Sequence, residues 1–259
     1  MEYQTVIVER KGHIGLITLN RPEQLNTFNT QLAQELNNAL RELDQDGKIR
    51  VVIIKATGRA FCAGIDLTEL AGKNIEEIRS WVKDMDEHNT TITNMKKPVI
   101  AAVHGVAVAN GTGLVGACDL AIASEDARFG TTAINIGLFC FAPGFQVLGS
   151  VGRKRALERV LTGEIIPADE AERISLVNKV VPREKLEEAT MELAEKLASK
   201  SPIALQMGKT AFYKTLSMGY DEALAYLSET FALLCDTEDA REGVDAFLNK
   251  RTPPEWKER

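Results

Sequence analysis

Apolar positions along the first half of the chain follow two alternating periods. Residues 5–9 and 13–19 are β-rich runs separated by Lys11-Gly12, which predicts a hairpin. After Asn29, the residues Leu32, Leu36, Ala39, Leu40 and Leu43 fall on one helical face, with Asn29 as the predicted N-cap. Residues 51–54 are a continuous apolar run, as a strand covered on both faces requires. Residues 75–94 read as a highly charged helix, and 98–103 and 120–123 as further buried strands.

Helical periodicity takes over in the second half, at 153–161, 184–199, 221–234 and 240–249. Pro167 fits the first turn of a short helix, where its missing N–H costs nothing. Ser201-Pro202 reads as an N-cap and first helical residue, and Gly219 as the end of that helix. The chain therefore divides into an α/β core over 1–200 and a helical region over 201–259. No internal repeat or low-complexity tract is visible.

Composition narrows the class. The 259 residues are 44% hydrophobic and 26% charged, which is too apolar for disorder. A net charge of −6 disfavours nucleic acid or an anionic membrane as main partner. No run approaches the roughly 18 apolar residues of a membrane span, and no signal peptide is visible at the start. Cys62, Cys118, Cys140 and Cys235 are scattered, which predicts reduced thiols and a cytoplasmic location. The three histidines do not cluster, so no metal site is expected.

Two segments stand out chemically. Residues 58–67 (Gly-Arg-Ala-Phe-Cys-Ala-Gly-Ile-Asp-Leu) and 103–116 (Val-His-Gly-Val-Ala-Val-Ala-Asn-Gly-Thr-Gly-Leu-Val-Gly) each follow a buried strand and are rich in small residues. Small residues there let a ligand approach backbone N–H groups. The second segment is expected to turn into a helix near Thr112, and a helix N-terminus favours developing negative charge. Neither segment is a phosphate loop, and tight packing alone also explains either one.

Taken together, the motifs resemble the crotonase superfamily, which includes enoyl-CoA hydratases and isomerases. The matching pieces are Asn20-Arg21-Pro22 with Leu25-Asn26, the Ala60–Leu67 segment, and Lys97-Pro98-Val99-Ile100-Ala101-Ala102-Val103-His104-Gly105. Cys118-Asp119-Leu120-Ala121-Ile122-Ala123, Leu161-Thr162-Gly163-Glu164 and Glu242-Gly243-Val244-Asp245-Ala246-Phe247-Leu248 complete the set. The resemblance implies an α/β spiral of ββα units with a C-terminal helical part used in trimerisation, giving a homotrimer or a dimer of trimers. It also implies an acyl-CoA thioester ligand, with CoA as part of the substrate and no separate cofactor. By motif position, the backbone N–H groups of Ile65 and Asn110 polarise the thioester carbonyl, and Gly111 belongs to the same loop. Leu25, Ala63, Asp66 and Leu67 match positions along the CoA arm. Phe247 and Lys250 match C-terminal positions that reach CoA, often across a subunit interface.

The departure from the pattern is as informative. The family's hydratases hold water with two glutamates, and here Gly113 and Ala133 stand in their places. Ordinary hydration is therefore expected to be weak or absent. Nearby candidates for a substitute are Cys140, as a thiol, and Thr131 and Thr132, as hydrogen-bonding groups for water or an anion. Bound bicarbonate, used by some dihydroxynaphthoyl-CoA synthases of the superfamily, is a further candidate. Phe139 and Phe141 predict an apolar acyl pocket. Residues 135–140 and 208–214 look like the enoyl-CoA hydratase domain-containing protein 3 group, while the absence of a mitochondrial presequence fits a prokaryotic-type relative. The competing functions are a non-catalytic acyl-CoA-binding protein and a different crotonase reaction, decarboxylation or thioester hydrolysis.

Overall fold

A computed structural model describes residues 3–252 and 255–257. Its first sheet contains β1 (Val6–Lys11), β2 (Ile14–Leu19), β3 (Val51–Ala56), β5 (Val99–Val103), β7 (Leu120–Ser124) and β10 (Lys179–Val181), hydrogen-bonded in that order. Only the β1–β2 hairpin is antiparallel. The apolar run in β3 splits by side-chain alternation. Val52 and Ile54 join the core under α1 (Thr30–Gln45), while Val51 and Ile53 join a second core with Leu186, Ala194 and Ala198 of α7 (Leu186–Ala198). Both faces are therefore covered, as the run requires. Asn29 caps α1 by accepting from Leu32 N at 2.9 Å, and Leu32, Leu36, Leu40 and Leu43 are fully buried. Each such leucine contributes on the order of 1.5–3 kcal/mol by leaving water.

A smaller sheet holds β4 (Ala60–Cys62), β6 (Val106–Val108), β8 (Arg128–Gly130) and β9 (Ile165–Pro167). Three turns of the chain repeat one route. Each runs from a first-sheet strand to a second-sheet strand and on to a helix: β3, β4 and α2 (Ile75–Asn94); β5, β6 and α3 (Asn110–Ala117); β7, β8 and α4 (Phe141–Val151). This is the ββα spiral that the motifs imply. The turns begin at residues 51, 99 and 120, so no fixed sequence period accompanies them.

Because β4, β6 and β8 are parallel, their C-terminal ends share one edge. The next turns touch there backbone to backbone. Gly111, in the first turn of α3, has no room for a side chain, since a Cβ would lie 2.1 Å from the Cys62 carbonyl oxygen. Gly64 (φ +100°) approaches Ala109 in the same way, and its Cβ would meet that of Ala109 at 3.0 Å. Thr112 locks the contact: its hydroxyl donates to Ala107 O at 2.6 Å and accepts from Gly130 N at 3.1 Å.

The remaining helices are α5 (Arg153–Thr162), α6 (Ala168–Arg173), α8 (Pro202–Thr215), α9 (Tyr220–Cys235) and α10 (Glu238–Leu248). Ser201 caps α8 by accepting from Ala204 N. Gly219 is the N-cap of α9 rather than the end of α8, which stops at Thr215. Pro167 likewise sits one place earlier than predicted, at the N-cap of α6 and the end of β9. Lys209 ties α8 to the core. Its ammonium donates to Asp119 Oδ2 at 2.7 Å and to the Ile92 and Lys97 carbonyls at 2.9 Å. Asp119 also accepts from Val99 N at 2.7 Å and is thereby a structural carboxylate. Among the described residues no helix is long and apolar enough to cross a membrane.

Two stability outcomes follow from these contacts. Gly111→Ala should lose about 1–3 kcal/mol or more in urea unfolding, because the Cys62 backbone must move. Lys209→Met should lose about 3–5 kcal/mol by leaving Asp119 buried without its cation, and adding Asp119→Asn should recover part of that loss.

Candidate active site

The shared edge of β4, β6 and β8 opens into a cavity of about 480 Å³. Crevices at the carboxyl ends of parallel strands are the usual ligand sites of α/β proteins. Each turn of the spiral supplies one wall: Ala63, Ile65 and Leu67 follow β4, Ala109 and Asn110 follow β6, and Thr132 to Pro143 follow β8. Helix α2 closes the cavity with Ile78, Trp81, Val82, Met85 and Asp86.

Ile65 and Asn110, the two residues expected to offer backbone N–H groups, both line this wall. Phe28 pairs in parallel with Ile65: Phe28 N donates to Gly64 O and Asp66 N donates to Phe28 O. Phe28 thus uses both neighbours of Ile65, and the Ile65 N–H points the other way. Asn110 opens α3, whose first intrahelical bond runs from Gly113 N to Ala109 O, so the Asn110 N–H is an unused first-turn donor. The two loops lie together, since a Cβ on Gly64 would sit 3.9 Å from Asn110 N. The backbone conformation that favours glycine falls on Ala109 (φ +49°, ψ −117°), while Asn110 itself is helical. Asparagine at 110 is therefore compatible with the donor geometry.

Asn26 holds the β4 loop in place. It is fully buried, donates to the Thr57 and Ala60 carbonyls at 2.9 and 2.8 Å, and accepts from Arg21 N at 2.7 Å. Arg21 in turn pairs with Asp66 at 3.1 Å. Thr68 and Arg21 hold the Asp66 carboxyl below the usual carboxylate range.

The predicted site residues separate in space. Ala63, Ile65, Leu67, Asn110, Thr132, Phe139 and Cys140 line the cavity. Leu25 and Asp66 stand behind the β4 loop, outside that lining. Gly111 backs onto Cys62, and Thr131 is buried with its hydroxyl unpartnered. Phe247 and Lys250 are exposed at the end of α10, away from the cavity of the single chain. The two glutamate positions also part company. Ala133 faces the cavity, whereas Gly113 packs on α4, where a Cβ would lie 2.9 Å from Pro143 Cα and Cβ. Cys140 is buried, which pushes its thiol up and keeps it protonated at neutral pH. His104 faces a second cavity of about 430 Å³ between the first sheet and α7, and bonds to Gly58 O through Nε2 at 3.0 Å.

Helix α2 holds what the sequence reading missed. Asp86 is half-buried in the cavity wall, and its one hydrogen bond is a 3.5 Å contact from Asn110 Nδ2. Burial, only partly offset by that contact, pushes its carboxyl up to about 6. The signal was present as an i, i+4, i+8 stripe of Ile78, Val82 and Asp86 on an otherwise charged helix. Among the described residues, no group of three or more His, Cys, Asp or Glu could hold a metal ion.

Comparison with known proteins agrees with this architecture. The enoyl-CoA hydratase/isomerase family model matches residues 9–259. A probable enoyl-CoA hydratase of Rhizobium meliloti is 39% identical over 252 residues, 97% of each chain. The crystal structure of an enoyl-CoA hydratase from Mycobacterium smegmatis superposes with a TM-score of 0.95 at 38% identity, covering 98% of this chain and 99% of that one. Human enoyl-CoA hydratase domain-containing protein 3 gives a TM-score of 0.92 at 36% identity, over 97% of this chain and 100% of that one. The spiral with its C-terminal helices is the crotonase fold, and the chain belongs to the enoyl-CoA hydratase/isomerase family of enzymes.

Proposed function

We propose that the chain acts on acyl-CoA thioesters, with the backbone N–H groups of Ile65 and Asn110 as an oxyanion hole. The observation that carries this reading is the close approach of the two loops that carry these donors, one at a helix N-terminus, on the wall of an apolar cavity. A thioester oxygen gains negative charge when its α-carbon gives up a proton, and fixed donors stabilise it without reorganising. Trp81, Met85, Leu138 and Phe139 suit an acyl chain. Leu25, Ala63, Asp66, Leu67, Phe247 and Lys250 are the residues assigned to the CoA arm, and the last two reach a site only if subunits pack together. Exposed apolar residues on the C-terminal helices, among them Phe212, Leu216, Tyr220, Phe231 and Phe247, support a homotrimer or a dimer of trimers.

Hydration by the two-glutamate route is not the proposed reaction. Ala133 presents a methyl group where a carboxylate would be needed, and Gly113 has no space for one. A positioned acid/base is worth about 10²- to 10⁴-fold in rate. Crotonyl-CoA should therefore bind, competing with butyryl-CoA, while its conjugated absorbance decays about 10²- to 10⁴-fold more slowly than two-carboxylate catalysis allows. Bicarbonate should not change this. Rapid hydration would contradict the reading, and absence of binding would remove the acyl-CoA assignment altogether. Cys140→Ala should leave turnover within about threefold, since its protonated thiol contributes packing rather than a nucleophile.

A further inference from the structure

We propose that Asp86, presented by α2 beside the Asn110 end of the oxyanion hole, is the acid/base group of this site and moves a proton at the α-carbon of the bound thioester. The proposal rests on the oxyanion-hole reading above and supplies the proton carrier that reading lacks.

Among the described residues lining the cavity, Asp86 is the only one with a charged side chain. A carboxylate kept for structure looks different, and Glu69, also packed at α2, shows how. It accepts from Trp81 Nε1 at 2.9 Å and from both Thr30 N and Thr30 Oγ1, at 2.9 and 2.8 Å. Burial pushes Glu69 up, but these donors outweigh it and hold the carboxyl below the usual range. Asp86 has one long contact, to the side chain of the residue whose backbone N–H is an oxyanion donor. The carboxylate is thereby next to the hole and short of partners.

Among the described residues lining the cavity, no other charged side chain faces Asp86. The β4 loop offers Ile65 and Leu67, α3 offers Asn110, and the segment after β8 offers Thr132, Asn135 and the Cys140 thiol, which burial pushes up. Its neighbours on α2 are engaged or turned away: Glu87 with Arg41, Asp84 with Gln34, and Lys83 exposed. His88 stacks on Phe28 with its ring centroid 5.0 Å away, and burial pushes it down to about 4, so it stays neutral. Asp86, pushed up to about 6, is thus a stronger base than an exposed carboxylate and is still ionised at neutral pH.

The step balances without a co-reactant. An Asp86 oxygen takes the α-proton as the C–H bond breaks. The electron pair moves into the Cα–C bond, and the carbonyl pair moves onto the thioester oxygen facing Ile65 and Asn110. Reversal returns the proton to the α-carbon. With a 3-enoyl thioester, return at C4 instead gives the conjugated 2-enoyl thioester. One carboxylate suffices for this shift, whereas hydration also needs a positioned water and a second proton carrier.

The test uses the full chain with butyryl-CoA in D₂O, following α-proton exchange by NMR, and with 3-hexenoyl-CoA, following the conjugated absorbance. Calorimetric binding of butyryl-CoA is measured separately. Both rates should rise with pH through a single inflection near 6. Asp86→Asn, which keeps an acceptor for Asn110, should bind butyryl-CoA within about threefold and lose about 10²- to 10⁴-fold in both rates. The same variant has a stability signature. The folded wild type holds a proton on Asp86 that the unfolded chain releases between pH 4 and 6, so wild-type stability falls as pH rises through that window. Asp86→Asn should therefore gain in Tm relative to wild type from pH 4 to pH 7. Binding with no exchange, exchange retained in Asp86→Asn, or a Tm difference flat with pH would each overturn the assignment. Absence of binding would instead overturn the acyl-CoA reading itself, and this inference with it.

Discussion

The site depends on one close approach between backbones. Gly111 lies against the Cys62 carbonyl, where even a Cβ would come within 2.1 Å, and Gly64 lies against Ala109. These contacts join two successive turns of the spiral at the ends of β4 and β6. If the loops stood a methyl group further apart, the Ile65 and Asn110 N–H groups could not act on one oxygen as proposed. Oxyanion donors work at about 2.7–3.1 Å, so such a gap would remove the effect. The Thr112 hydroxyl, in the second turn, bonds to Ala107 of β6 and Gly130 of β8 and so ties the same edge to the third turn.

The cavity beyond that edge is mostly apolar, and this sets the chemistry. Low polarity strengthens each electrostatic interaction and penalises each unpaired charge. The chain places no glutamate there: one position holds Ala133, and the other is filled by the packing of Gly113 on Pro143. It keeps one carboxylate, Asp86, on a different element from either position. On the proposed reading, an oxyanion hole at Ile65 and Asn110 with Asp86 as single proton carrier favours enolate chemistry over the addition of water.

The sequence disclosed the parts with a clear period or cap. α1 was readable because Asn29 precedes a clean stripe of leucines, and β3 because its run is apolar on both faces. β4, β6 and β8 were not, since three residues are too few to show alternation. α4 was hidden by Pro143, Gly144 and Gly149, and by Phe145 and Leu148, which stay exposed while Val147 is buried. The proposed oxyanion pair, Ile65 and Asn110, was suggested only by family motifs, because a backbone donor leaves no side-chain signature. Asp86 shares an i, i+4, i+8 stripe with Ile78 and Val82, but that spacing alone does not mark it as a site residue. It is one acidic residue among many on α2, and only the spiral brings that helix over the Asn110 loop.

The most direct measurement is a crystal structure of the chain with butyryl-CoA bound. The account predicts the thioester oxygen at about 2.7–3.1 Å from both Ile65 N and Asn110 N, with the α-carbon turned toward Asp86. A thioester bound with its oxygen away from those two donors, or an acyl chain outside the cavity behind Trp81 and Phe139, would contradict it.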